Sequence, residues 1–356
     1  MRFLDGIRVL GLDIGGANVK MSFVSFNGWQ DFDVFYSGLW YFPFWIKKLF
    51  FKDFLENVRK EIELKKEWEG LGVTMTAELA DCFQTKKEGV SWIARRVCKV
   101  FGEEKVFFLT VEGKMISLNE LLKDPLKGAA SNWIATAFLI GSLFPDCIMV
   151  DAGSTTTDIV PIVEGKPFSK GRTDPERLAR GELIYTGVLR TNVTSIVQKV
   201  PTPWGECRVS SELFAITGDI HLLLGNIEVG DYNIDTPDGK KPSFESALTR
   251  IARVICADKE MLSRDQIVNI ALFIYEKQLQ QVVEGLKQVI KENKDVLGDS
   301  PKIVFTGFGE EILGKKAAKR LGLKELYDFS NFIEKETNVV STSVAVACMV
   351  GEKLKK

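Results

Sequence analysis

The chain has 356 residues, 45% of them apolar and 27% charged, with a formal net charge of −1. That length suffices for two domains with separate cores, and the balanced charge offers no basic field for nucleic acid or an anionic membrane. Six scattered cysteines (Cys82, Cys98, Cys147, Cys207, Cys256, Cys348), with no CxxC pair, argue against a disulfide framework or an iron–sulfur site and fit a reducing cytoplasm.

Asp5 and Asp13 interrupt any apolar secretory segment at the start, and the longest apolar run, residues 39–46, is too short to span a bilayer. A soluble protein is expected. In chain order, strands are predicted near 7–13, 19–25 and 33–37, then a helix from about Ile46 to Lys66. The aromatic density between Phe23 and Phe54 suits paired strands and a docking helix, or else a partner-facing patch or a pocket wall. A buried strand at 71–75, a helix near 90–101, a strand at 106–110 and a small-residue helix over 129–143 follow. The second half restarts with strands at 147–151, 157–163 and 166–170 and helices near 209–224, 242–257 and 264–293. Residues 225–243 read as a loop, 303–306 as a short strand and 341–354 as the last helix. The fold class is therefore α/β in two layered units, 1–144 and 145–356, with a soft boundary near 145.

Three glycine turns carry the chemistry. Asp13 ends an apolar strand and is followed by Gly15, Gly16, Ala17, Asn18 and Lys20, so a carboxylate, close-approaching N–H groups and a cation stand together. The plainer reading is a β-hairpin with a glycine turn. Asp151 and Asp158 bracket Gly153, Ser154, Thr155 and Thr156, whose hydroxyls and N–H groups suit phosphate or Mg²⁺-bound water. Gly307 and Gly309 open the segment to Glu311, where a helix start favours an anion or a flat ring.

Together these turns resemble the phosphate-1, phosphate-2 and adenosine motifs of the superfamily of sugar kinases, heat-shock chaperone ATPases and actin. The resemblance implies two ribonuclease-H-like (actin-like ATPase) domains around a central cleft. Within it the chain is most similar to hydantoinase/oxoprolinase-like proteins tied to one-carbon transfer on tetrahydromethanopterin and methanofuran. The segments carrying this are 15–18, Thr74–Asp81, 151–158, Gly181–Val188 and Ala257–Asp258.

The resemblance implies a methanofuran-pathway transferase that joins γ-glutamyltyramine to an aminomethyl-furanmethanol diphosphate, forming an ether and releasing diphosphate with Mg²⁺ held at Asp13, Asp151 and Asp158. A phenol acceptor needs a base. Glu78, after a buried strand, is the first candidate, with Asp219 beside the sole histidine, His221, as the second. Asp151 is also counted among the catalytic residues, and Arg190, Arg253 and Asp258 are candidates for anionic substrate ends. Two other functions share the motifs: an ATP-dependent kinase or hydrolase, and a nucleotide-switched scaffold. Whether ATP binds is left open.

Overall fold

The structure is a computed structural model that describes residues 6–63, 67–333 and 340–355. The end of the helix expected to reach Lys66 lies outside the described residues. The chain divides into two compact units.

The first unit holds a six-stranded sheet. Its strands are β1 (Ile7–Ile14), β2 (Asn18–Gly28), β3 (Asp31–Tyr41), β4 (Gly70–Met75), β5 (Val106–Leu109) and β6 (Met115–Ile116), in the order β3-β2-β1-β4-β5-β6. β1 pairs antiparallel with β2 and parallel with β4. Alternation along β1 decides what packs on each face. Leu10, Leu12 and Ile14 join the core under the helices Phe51–Glu63 and Lys86–Phe101. Gly11 faces the C-terminal helix, Ser341–Lys355, where an added Cβ would lie 1.8 Å from the Ser343 carbonyl oxygen. That helix therefore lies against the sheet backbone, pinned by Ser343 Oγ at 2.7 Å from Ser22 Oγ.

The aromatic segment chiefly fills the core. Phe42, Phe44 and Phe51 are buried, with Phe44 and Phe51 ring centroids 4.8 Å apart, each ring worth about 2 kcal/mol over exposure. Ile46, Leu49 and Phe50 nevertheless remain exposed.

The second unit is built on β7 (Cys147–Ala152), β8 (Thr157–Val163), β10 (Leu183–Ile184), β13 (Ile303–Thr306) and β14 (Leu326–Asp328), in the order β10-β8-β7-β13-β14. β7, β13 and β14 run parallel. The helices Thr217–Leu223, Phe244–Arg253 and Arg264–Glu292 supply most of its apolar core. The longest starts at Ser263, whose Oγ accepts the Gln266 N–H at 3.3 Å while Gln266 Oε1 accepts the Ser263 N–H at 2.8 Å, so two otherwise orphaned donors are satisfied.

A single cut near 145 does not describe the division. Ile162–Asp174 and Phe329–Lys356 belong with the first unit. The last helix returns because Gly11 and Gly72 admit it, and the β8 end pairs with β9 (Lys166–Pro167). The strand expected over 166–170 is only that two-residue β9. The ribbon of β11 (Lys199–Thr202) and β12 (Gly205–Arg208), and β14, were not expected.

Candidate functional site

The first unit gathers its polar groups at the carboxyl ends of β1 and β4, where open α/β sheets place ligands. Asp13 is opposite Lys20 in the β1–β2 ladder and beside Thr74 in the β1–β4 ladder. Its Oδ2 is 3.6 Å from Lys20 Nζ, and burial pushes its carboxyl above the ordinary range against the pull of that ammonium. The expected hairpin is present: the Gly15 N–H donates to the Asn18 carbonyl at 2.9 Å. The carbonyls of Gly16 and Ala17 accept the Phe44 and Phe42 N–H groups at 2.9 and 2.8 Å, so the turn is braced from behind. A Cβ at Gly16 would meet nothing within 4 Å, leaving open space over that backbone.

A run of contacts leads from this turn to Glu78. Thr74 Oγ1 is 2.9 Å from Ser131 Oγ, and the next residue back, Ala130, donates its N–H to Glu78 Oε1 at 3.0 Å. Ala130 holds φ +49°, a strained setting for a non-glycine residue, just before the helix Asn132–Gly141. Glu78 itself lies on a short 3₁₀ turn, Ala77–Leu79, 1% exposed, with Oε2 buried and without a hydrogen-bond partner. Desolvation raises its pKa to about 7, with the field of Asp174 adding and that of Lys86 opposing. The 2.5 Å Lys86–Asp174 ion pair neutralises much of both fields. Glu78 is thus a carboxyl divided between its two protonation states at neutral pH, the condition a general base or acid needs.

The second turn belongs to the other unit. The Gly153 N–H donates to the Thr156 carbonyl at 2.8 Å. The carbonyls of Gly153 and Ser154 accept the N–H groups of Val188, Leu189 and Arg190 at 2.9–3.0 Å. Gly187 lies so close that an added Cβ would sit 2.5 Å from the Thr155 nitrogen. Ser154, Thr155 and Thr156 stay half-buried, and no hydrogen bond within the described residues engages their hydroxyls. With the Gly153 and Ser154 carbonyls bonded to Val188, Leu189 and Arg190, the N–H and O–H groups of Ser154, Thr155 and Thr156 are a donor set that suits an anion. Asp151 stands over the third turn: a Cβ on Gly307, at φ +87°, would be 2.3 Å from Asp151 Oδ1. Gly309 spends its N–H on the Ala152 carbonyl at 2.7 Å, and a π-helical turn, Glu310–Gly314, precedes the helix Lys315–Arg320.

Several expected site residues serve the fold instead. Asp158 pairs with Arg177, Nη1 to Oδ1 at 2.8 Å, and Arg177 is 2% exposed. Asp219 accepts from the Ile216 N–H at 3.1 Å, Tyr232 Oη at 3.1 Å and Arg250 Nε at 2.8 Å, all buried. It closes the first turn of Thr217–Leu223, and its lone pairs are too fully used for proton transfer. His221 is neutral, pushed down to about 4 by burial. Gln278 Nε2 donates to the Gly187 carbonyl at 2.9 Å, so Gln278 Oε1 accepts from His221 Nε2 at 3.0 Å, which leaves Nδ1 to accept from Asn226. His221 therefore braces the segment behind the second turn. Asp258 accepts the Glu260 and Met261 N–H groups, and no ion pair joins it to Arg253 among the described residues. Arg190 is held by its backbone at the second turn.

A model of the hydantoinase/oxoprolinase family matches residues 69–350. The chain belongs to that family. A relative from Methanocaldococcus jannaschii is 39% identical over 98% of this chain and 99% of its own, and is named (4-{4-[2-(gamma-L-glutamylamino)ethyl]phenoxymethyl}furan-2-yl)methanamine synthase. A second, from Methanococcus vannielii, bears the same name and is 39% identical over 61% of this chain and 96% of its own. Acetone carboxylase in a nucleotide-free structure shares the fold at a TM-score of 0.53 and 12% identity, over 91% of this chain and 68% of that one. This hydantoinase/oxoprolinase member thus has an α/β fold in two compact units, shared with that carboxylase structure.

Mg²⁺ was expected at Asp13, Asp151 and Asp158. No group of three His, Cys, Asp or Glu among the described residues could hold a metal by itself. The Arg177 ion pair removes Asp158 from the set. What remains, the strand-tip carboxylates Asp13 and Asp151, one on each of the first two turns, suits Mg²⁺ that arrives on phosphate oxygens and keeps most of its waters. Sequence reasoning missed Thr74, Ser131, Ala130 and Arg177. The small-residue run 128–131, next to a helix start, was the one available signal for Ser131 and Ala130.

Proposed function

We propose that the protein condenses γ-glutamyltyramine with (5-(aminomethyl)furan-3-yl)methyl diphosphate. The phenol oxygen bonds to the furan-bearing methylene carbon, the C–O bond to diphosphate breaks, and the phenol proton leaves. The observation that carries the assignment is the end-to-end likeness to a synthase whose name spells an aryl ether on a furan methylene.

The chain's own groups supply what this reaction needs. Ser154, Thr155 and Thr156 hydroxyls and the adjoining N–H groups bind the departing diphosphate and stabilise its developing charge. Asp151 would hold Mg²⁺ through water and diphosphate oxygens, and the metal would neutralise the leaving group. Asp13 is the corresponding carboxylate of the first turn, with Lys20 adding a positive charge and Gly15–Asn18 shaping the backbone. Glu78 Oε2 takes the phenol proton. An unperturbed phenol near ~10 and a base at about 7 differ by three units, roughly 4 kcal/mol uphill, so proton transfer accompanies ether formation rather than preceding it.

An oxygen-18 label in the phenol tests this pathway. The label should be retained in the ether, with unlabelled diphosphate; label in the diphosphate, or no ether, contradicts it. The glycine turn at Gly307, at φ +87° after β13, is the feature that keeps an ATP-dependent kinase or hydrolase as the second reading. ATP turnover without ether would select it.

A further inference from the structure

Within the first unit, a cavity of about 180 Å³ opens along the flank of the helix Asn132–Gly141. Its walls are closely built. A Cβ on Gly113, at φ +77°, would come within 2.7 Å of the Phe138 ring, and one on Gly141 within 2.4 Å of the Gly165 carbonyl oxygen. Trp133 and Phe138 supply aromatic surface, Lys166 and Arg172 positive charge and Glu112 negative charge. Ser169 also lines it, and its Oγ is buried without a hydrogen-bond partner. Among the described residues, the ionic partners of Glu112 are Lys114 and Lys127, at 3.7 and 4.0 Å, long exposed contacts that contribute little.

We infer that this cavity binds the α-amino-acid head of the γ-glutamyl group, an inference that rests on the reaction proposed above. Charges of both signs on one small aromatic-walled cavity suit a zwitterion with a short methylene chain. The carboxylate meets Lys166 and Arg172, the ammonium meets Glu112, and Ser169 Oγ gains its missing partner. A volume of about 180 Å³ admits the head group and its methylenes. Spacing agrees. Phe138 lies six residues beyond Asn132, ~9 Å along the helix, and Ala130 lies two non-helical residues before that start. From phenol oxygen to glutamyl α-carbon, an extended γ-glutamyltyramine spans ~12 Å by standard bond lengths, enough to cover the helical run and reach past its start. A substrate laid along this helix brings its phenol to the end where Ala130 holds Glu78.

Calorimetry on the full chain, with γ-glutamyltyramine, its N-acetyl derivative and tyramine, tests the site without requiring turnover. Lys166→Met, Glu112→Gln and Ser169→Ala should each weaken γ-glutamyltyramine at least tenfold, leave tyramine unchanged, and raise KM for γ-glutamyltyramine without changing kcat. N-acetylation should cost a similar factor in the unsubstituted protein and nothing further in Glu112→Gln. Undiminished binding in all three variants, or no binding by the unsubstituted protein at millimolar concentration, overturns the inference. Loss of binding in the variants alongside absence of ether from the unsubstituted protein would keep the site and sink the proposed reaction.

Discussion

Glu78 spends one carboxylate oxygen on the N–H of Ala130, 3.0 Å away, and leaves the other buried without a partner. The bond fixes a residue at φ +49°, so one side chain both steadies the start of the helix Asn132–Gly141 and keeps a proton-accepting atom in reserve. Glu78→Gln retains the shape and the acceptor while removing the base. Ether formation should fall about 10²–10⁴-fold, with the circular dichroism spectrum unchanged. A fall of less than threefold would assign Glu78 to structure alone.

The same carboxyl makes stability and activity respond to pH in opposite directions. Its pKa is raised from 4.5 to about 7 on folding, so its protonated form is favoured in the native state. That contribution is complete below about 4.5 and is lost as pH rises through about 7, a cost of about 3 kcal/mol. Activity requires the ionised form, so kcat/KM should drop tenfold per unit below about 7. Urea titrations between pH 5 and 8 should show Glu78→Gln with a flatter pH dependence than the unsubstituted protein, and parallel slopes would count against the assignment.

Gly307→Ala places a methyl 2.3 Å from Asp151 Oδ1 on a backbone at φ +87°. A destabilisation of about 1–3 kcal/mol is expected, with diphosphate release impaired beyond what the folded fraction explains. Normal specific activity after correction for folding would separate Asp151 from the chemistry.

Asp219→Ala leaves Arg250 buried with Asp238 as its remaining ionic partner at 3.0 Å. The loss should be about 3–5 kcal/mol of stability, measured by denaturation, while kcat of the folded protein stays within twofold. A selective loss of kcat would restore Asp219 to the catalytic set.

Much of this was readable before the structure. Strand-tip carboxylates and glycine turns depend on local φ/ψ needs, which sequence records directly, so Asp13, Gly15 and Gly307 fell where expected. Asp219 was read as a candidate base inside a helix near 209–224; the helix begins at Thr217, and Asp219 closes its first turn instead. Non-local partners were not. Nothing near Asp158 announces Arg177 as its counter-ion, and nothing near Ser341–Lys355 says that Gly11 and Gly72 of the first unit make room for it. The β11–β12 ribbon was hidden by Pro201, which disfavours a central strand but is tolerated in a two-stranded one.

The most direct measurement is diphosphate release by the purified protein with Mg²⁺, mixing the furan diphosphate and γ-glutamyltyramine together and singly, with ATP in a parallel reaction. The account predicts diphosphate only when both organic partners are present, in a one-to-one ratio with an ether identified by mass spectrometry. Phosphate or diphosphate from ATP, with no ether formed, would contradict it.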